Sequence, residues 1–312
     1  MSALADRGAS TRTAALASVA VAILLIGCKG YAAWATGSVS VLASLADSSL
    51  DLVASLVILW AVRVAAVPPD SDHRFGHGKA EALAALFQVV MIVVSAIGII
   101  VEAVRSFQHG GRVEHAATGI VVSVIAIVAT FALVTLQQRV IASTASVAIE
   151  SDRVHYLSDL LLNATVIVAL AIDALFDVRG IDALFACLIA LYLLRAGWTS
   201  ANRAVDQLMD KEWPDERRLH FLQVAAQHPE LKGIHDLRTR SSGTRDFVQF
   251  HVWVAPDITL ADAHRVMEEV EGKLAREFPG VEILIHPDPE GHIDVSRAVD
   301  VMANAAPSLR SF

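Results

Sequence analysis

The 312 residues are 54% hydrophobic and carry a net charge of -8, and the mean hydropathy of +0.52 exceeds what the core of a soluble domain of this length needs. Composition therefore excludes a wholly soluble protein and requires spans in a lipid bilayer. The only cysteines, Cys28 and Cys187, lie in apolar runs, so neither a disulfide framework nor a thiolate metal site is expected, and no nucleic-acid partner either.

Six stretches reach the roughly 20 residues that a helix needs to cross a ~30 Å hydrocarbon core: about 13–34, 40–63, 81–107, 115–138, 147–174 and 180–203. The first contains LIGC at Cys28 after Arg7 and Arg12, as a lipoprotein signal would. Its apolar pattern, interrupted only by Lys29, continues to Trp34, which makes it a span. An even number of spans puts both termini on one side. Arg7, Arg12, Arg63, Arg74, Lys79, Arg139 and Arg203 flank one face, against Lys29, Arg105, Arg112 and Arg179 near the other, so the termini are expected in the cytoplasm. ATGSV, HGGRVEH and DVRGID read as outer turns. VPPDSDHRFGHGKAE and a stretch around QQRVIASTASVAIESD read as cytoplasmic connections.

After about residue 208 the chain becomes dense in Asp, Glu, Arg and His. Pro214 opens a helical segment, GIHDLRTRSSGTRDFVQFHVWVA reads as two strands round a Ser-Ser-Gly turn, a helix covers about 259–277, and VEILIHP is a third strand. The expected fold is thus a six-helix transmembrane domain over 1–208 and a cytoplasmic α+β domain of order αββαβ over 209–292. A tail at 293–312 is expected to be disordered.

Two ionisable pairs interrupt the apolar spans: Asp47 with Asp51 in the second, and His155 with Asp159 in the fifth. Each has the i, i+4 spacing that stacks two side chains on one helix face. A mid-bilayer carboxylate costs roughly 2.5–3.5 kcal/mol on insertion scales, so three of them need compensation, and a divalent cation is the simplest. At ~1.5 Å per residue, Asp47 and Asp51 lie about 10 and 16 Å below the outer face, while His155 and Asp159 lie about 12 and 18 Å from the inner one. The four side chains can converge as an oxygen and nitrogen shell suited to Zn²⁺, Fe²⁺, Cd²⁺ or Co²⁺. The alternative is polar glue between helices, a role expected of Ser44, Ser48, Ser49, Ser55 and Asn163. Lys29 lies near the outer end of its span, where its ammonium is expected to snorkel to the interface.

Two further clusters carry ligand types. Asp70, His73 and His77 lie within eight residues of a cytoplasmic loop. In the soluble module, His235, His251, His264, His286 and Asp288 read individually as surface residues and jointly as a one- or two-ion site bridged by Asp288.

Taken together, GSVSVLASLADSSLD, HRFGHGKAEALAAL, HYLSDLLLN, HDLRTR and IHPDP resemble the cation diffusion facilitator family, in its bacterial zinc and ferrous-iron efflux branch, over essentially the whole chain. The resemblance implies that Asp47, Asp51, His155 and Asp159 form a tetrahedral transport site, and that Asp70, His73 and His77 form a loop site. It implies a binuclear site of His235, His251, His264, His286 and Asp288 in a metallochaperone-like, dimerising domain. Lys79 and Asp210 match a charged interlock between protomers of a homodimer in the cell inner membrane. Many eukaryotic zinc members have His where Asp47 stands, and manganese-type members have Asp where His155 stands, so the set here resembles the broader zinc, cadmium and iron type.

The function expected from this reading is efflux of a divalent cation by proton-coupled antiport with alternating access, without an organic cofactor and without enzymatic activity. Protons and metal compete for the same donors. The rival classes are a membrane-tethered metal sensor and a passive metal channel.

Overall fold

The computed structural model describes residues 2–37, 39–109, 116–176, 181–227, 232–243 and 245–291. The expected turns at 110–115 and 177–180 and the tail from 292 onward lie outside the described residues. The chain divides into two compact units, one of Ala5–Asp206 and one beginning at Gln207.

The first unit is built from six long helices: α1 (Ser2–Thr36), α2 (Val39–Ala65), α3 (Ala80–His109), α4 (Ala116–Thr144), α5 (Val147–Phe176) and α6 (Ile181–Leu208). A helix satisfies every backbone group internally, which is the requirement hydrocarbon imposes. Among the described residues, α1, α2, α3, α4 and α6 each contain a stretch long and apolar enough to cross a membrane by length and composition. Helix α5 has 30 residues and carries Glu150, Asp152, Arg153 and Asp159 in its first half. Large apolar side chains such as Leu24, Val90, Phe131 and Leu191 point outward, as suits a lipid-facing surface.

The helices pack through small residues. Ala14 and Ala15 of α1, Ala61 of α2, Ala84 of α3 and Ala148 of α5 are buried round Ile58, Val62 and Ile149, which lets the backbones approach closely. A second cluster joins Ile92 and Ala96 of α3, Val154 of α5 and Leu193 of α6. The expected long connection between the fourth and fifth spans is a correction: only Ala145 and Ser146 separate α4 from α5. Ala145 turns the chain with a positive φ of 53°, and Ser146 Oγ donates to the buried Glu81 at 2.5 Å.

Buried polar groups tie four helices together. Asp152, fully buried, accepts from Ser18 of α1 at 2.6 Å and Gln137 of α4 at 2.9 Å. The Tyr156 hydroxyl donates to the Ser18 carbonyl at 3.1 Å and lies 2.9 Å from Ser55 Oγ of α2. Tyr156→Phe, which leaves Ser55 short of this partner, is expected to lower stability by about 0.5–2 kcal/mol without touching the metal donors. Thermal unfolding in detergent measures it.

The second unit contains α7 (Asp215–Ala225), β1 (Lys232–Ser242), β2 (Arg245–Val254), α8 (Leu260–Glu277) and β3 (Val281–Pro289). The strands lie in the order β1-β2-β3, the first pair antiparallel and the second parallel. A parallel pair needs a crossover, and α8 supplies it. Thr259 caps α8 by accepting from the Asp262 backbone N–H. Period-two alternation sends Val248, Phe250 and Val252 to one side, where they pack with Phe221, Met267, Val270, Leu274 and Ile285. His251 is left on the opposite face of the sheet.

Candidate metal centres

In the membrane unit, Asp51 Oδ1 approaches His155 Nε2 to 2.9 Å, and Asp159 Oδ2 approaches the same nitrogen to 3.7 Å. One donor atom from each of these three residues lies within 4.8 Å of the others. His155 is 4% exposed, yet neither ring nitrogen has an aligned hydrogen-bond partner. The short Asp51 contact is therefore one of distance and charge, without hydrogen-bond geometry. Buried polar atoms are rarely left in that condition, and a cation among them would satisfy all three groups.

Asp47 is one turn from Asp51 on α2, and stands outside this group of three in a more exposed position. The serines divide. Ser55 and Ser48 make contacts between helices, whereas Ser49 and Asn163 bond carbonyls of their own helices. Lys29 does not snorkel: its ammonium donates to Ser48 Oγ at 2.6 Å and to the Ser44 carbonyl at 3.3 Å.

Asp70, His73 and His77 also converge within 4.8 Å, just before α3. The backbone N–H groups of Asp72 and His73 donate to Asp70 Oδ1 at 3.0 and 2.7 Å, which folds the loop back on itself. The His73 N–H is the main reason the Asp70 carboxyl is held below its ordinary value, with the Asp72 N–H and the two histidines adding to it. The carboxylate faces two imidazoles there. Lys79 follows this loop in the membrane unit. Asp210 belongs to the second unit, at a positive φ of 54° and 3.5 Å from the Arg240 guanidinium.

Sheet register assembles the third cluster. His235 pairs with His251 and His251 with His286, so the three imidazoles form a row across three strands. Asp288 reaches into this row from the next turn of the pleat. Its Oδ2 lies 2.8 Å from His251 Nδ1 and 3.2 Å from His235 Nε2, and its Oδ1 lies 3.3 Å from His286 Nε2. Burial acts to raise the Asp288 carboxyl, but the hydrogen bond from His251, with the nearby His286 and His235, outweighs it and holds the group below its ordinary value. His235 Nδ1 lies 2.7 Å from the Gly233 carbonyl, which orients the ring so that Nε2 faces Asp288. His264 is apart from this row, on the exposed face of α8 beside Glu268.

Sequence reasoning passed over Asp236. It sits at a left-handed φ of 47°, is gripped by Arg238 at 3.1 and 2.9 Å, and faces His251 Nε2 at 3.7 Å. The bulge between His235 and Arg238 turns it inward, and period-two counting cannot foresee a bulge. A carboxylate on the far nitrogen of a ligand histidine is the usual means of fixing its ring.

Comparison with known proteins decides the family. The profile of the cation efflux transmembrane domain matches residues 15–209, and that of the cation efflux protein cytoplasmic domain matches residues 213–290. The chain belongs to the cation efflux family. Among relatives of this cation efflux protein, the cation-efflux pump FieF of Klebsiella pneumoniae subsp. pneumoniae is 39% identical over 284 residues, covering 91% of this chain and 94% of the relative. The cation-efflux pump FieF of Citrobacter koseri is 41% identical over 276 residues, covering 88% and 92%. The metal-bound C-terminal domain of the CzcD transporter from Thermotoga maritima matches 26% of this chain and 99% of that one, at 21% identity and a TM-score of 0.25. A cation efflux protein is a multi-pass membrane transporter and not an enzyme, in line with the resemblance drawn from the motifs.

Proposed function

We propose that this cation efflux protein exports a divalent metal ion, Zn²⁺ or the similar Fe²⁺, Cd²⁺ or Co²⁺, from the cytoplasm in exchange for protons. The observation that carries the reading is the Asp51, His155 and Asp159 cluster, three donors from two helices with a buried imidazole at its centre whose ring nitrogens have no aligned hydrogen bond. Asp47, one turn outward, is the fourth donor of a tetrahedral shell. Metal ligation requires ionised carboxylates and a neutral imidazole, so protons arriving from outside displace the ion outward and their loss inward restores the site. The helices rock about this fixed midplane site to expose it alternately.

The Asp70, His73 and His77 loop and the row of His235, His251, His286 and Asp288 are accessory metal sites. His264 of α8 is the further donor of the latter site. The protein works as a homodimer in the cell inner membrane with both termini cytoplasmic. Residues 1–208 form its transport domain and 209–292 its metal-binding domain.

Purified protein in proteoliposomes tests the reading. With an imposed pH gradient, zinc is expected to accumulate against its own gradient and to carry protons the other way, detected by enclosed zinc- and pH-sensitive dyes. Zinc that only equilibrates points to a channel, and no flux to a sensor. Either result defeats the proposal.

A further inference from the structure

We propose that Lys29 is the built-in counter-cation of the membrane metal site, which weakens the site's hold on its ion so that the ion can leave. The inference rests on the reading that this site carries the exported metal. Lys29 lies on α1 seven residues before its end at Thr36, about 10 Å of rise at 1.5 Å per residue. A snorkelling lysine at that depth extends its head group along the helix toward the outer end. The ammonium turns sideways instead, to Ser48 Oγ at 2.6 Å and the Ser44 carbonyl at 3.3 Å.

Ser48 is 1% exposed, follows Asp47 directly and stands three residues before Asp51 on the same helix. Keeping an ammonium there costs desolvation energy that a plain hydrogen-bonding link between α1 and α2 would avoid, since a serine or threonine suffices for that. The offset is the anionic site itself. The bond to Ser48 puts the Lys29 charge at a residue that lies between Asp47 and Asp51 in the sequence of α2. The donor set explains the sign. Three carboxylates, one ammonium, a neutral imidazole and a divalent ion together carry no net charge, whereas the same set lacking the ammonium leaves a negative charge inside lipid. A site without Lys29 therefore binds its cation more tightly and releases it more slowly.

Zinc flux through the full chain in proteoliposomes, at a fixed pH gradient, separates this from simple helix bonding. Lys29→Gln keeps a hydrogen-bonding group and removes the charge, and is expected to lower KM and kcat together by about fivefold or more. Ser48→Ala keeps the charge and cuts its tether, so that the ammonium relaxes toward the carboxylates. It is expected to raise KM by about two- to fivefold. An unchanged or raised KM in Lys29→Gln overturns the proposal, as does an unchanged or lowered KM in Ser48→Ala. The second variant decides alone should the first fail to fold. If the wild-type protein carries zinc while the variants fail to diverge, only the role of Lys29 falls. If the wild-type protein carries none, the reading of the site falls with it.

Discussion

Asp51→Ala and His155→Ala are each expected to reduce zinc transport by more than about a hundredfold. Losing a mere outer-shell partner of a metal ligand typically costs 10–100-fold, and these residues supply the 2.9 Å contact at the centre of the membrane cluster. The Asp51 variant has a second, opposite signature. A carboxylate among apolar spans costs roughly 2.5–3.5 kcal/mol of insertion free energy, so removing it is expected to leave the metal-free protein as stable as the wild type or more so. Zinc should then raise the midpoint of thermal unfolding less in the variant, because the binding that stabilises the folded state has been weakened. Flux in proteoliposomes and melting with and without zinc check both halves. Near-normal transport by either variant would remove the central assignment.

The second large effect is expected far from the spans. Gly233→Ala places a Cβ 2.0 Å from Cε3 of Trp253, at a residue whose φ of 56° already disfavours a side chain. The indole has to move, and it lies 5.4 Å from the His235 ring, whose Nδ1 is held by the Gly233 carbonyl itself. Strain and displacement together are expected to cost about 2–4 kcal/mol in the C-terminal unit. Zinc affinity of the His235, His251 and Asp288 cluster should fall at least about tenfold. Titration calorimetry on the full chain carrying Asp51→Asn and Asp70→Asn, which weaken the membrane and loop sites, isolates this signal. Wild-type zinc affinity together with wild-type unfolding would show that Trp253 yields without consequence.

Much of this architecture is legible in the sequence. Long apolar runs delimit helices because lipid allows few other backbones, and the charged residues inside α2 and α5 announce themselves by their cost. The order αββαβ followed from alternation in FVQFHVWV and from Pro214 and the Ser-Ser-Gly turn. Hidden features were those set by pairing between distant segments. Nothing in the sequence near Asp152 shows that Ser18 and Gln137 come from two other helices to meet it. The two-residue connection at Ala145 was masked because the polar residues of QQRVIASTASVAIESD look like a loop when they are in fact the inner ends of two helices. Lys29 was misread for a similar reason: its depth was legible, but the direction of its head group depends on which face of α2 lies opposite.

The row of imidazoles has one more consequence. His235 and Asp288 are 53 positions apart, and they lie on the two outer strands of the sheet. An ion seated between them acts as a removable clasp, closing a long loop much as a covalent cross-link would and thereby restricting the unfolded chain. Chelation should accordingly loosen β1 and β3 before it disturbs β2. The exported element would thus also set the rigidity of the module that holds it.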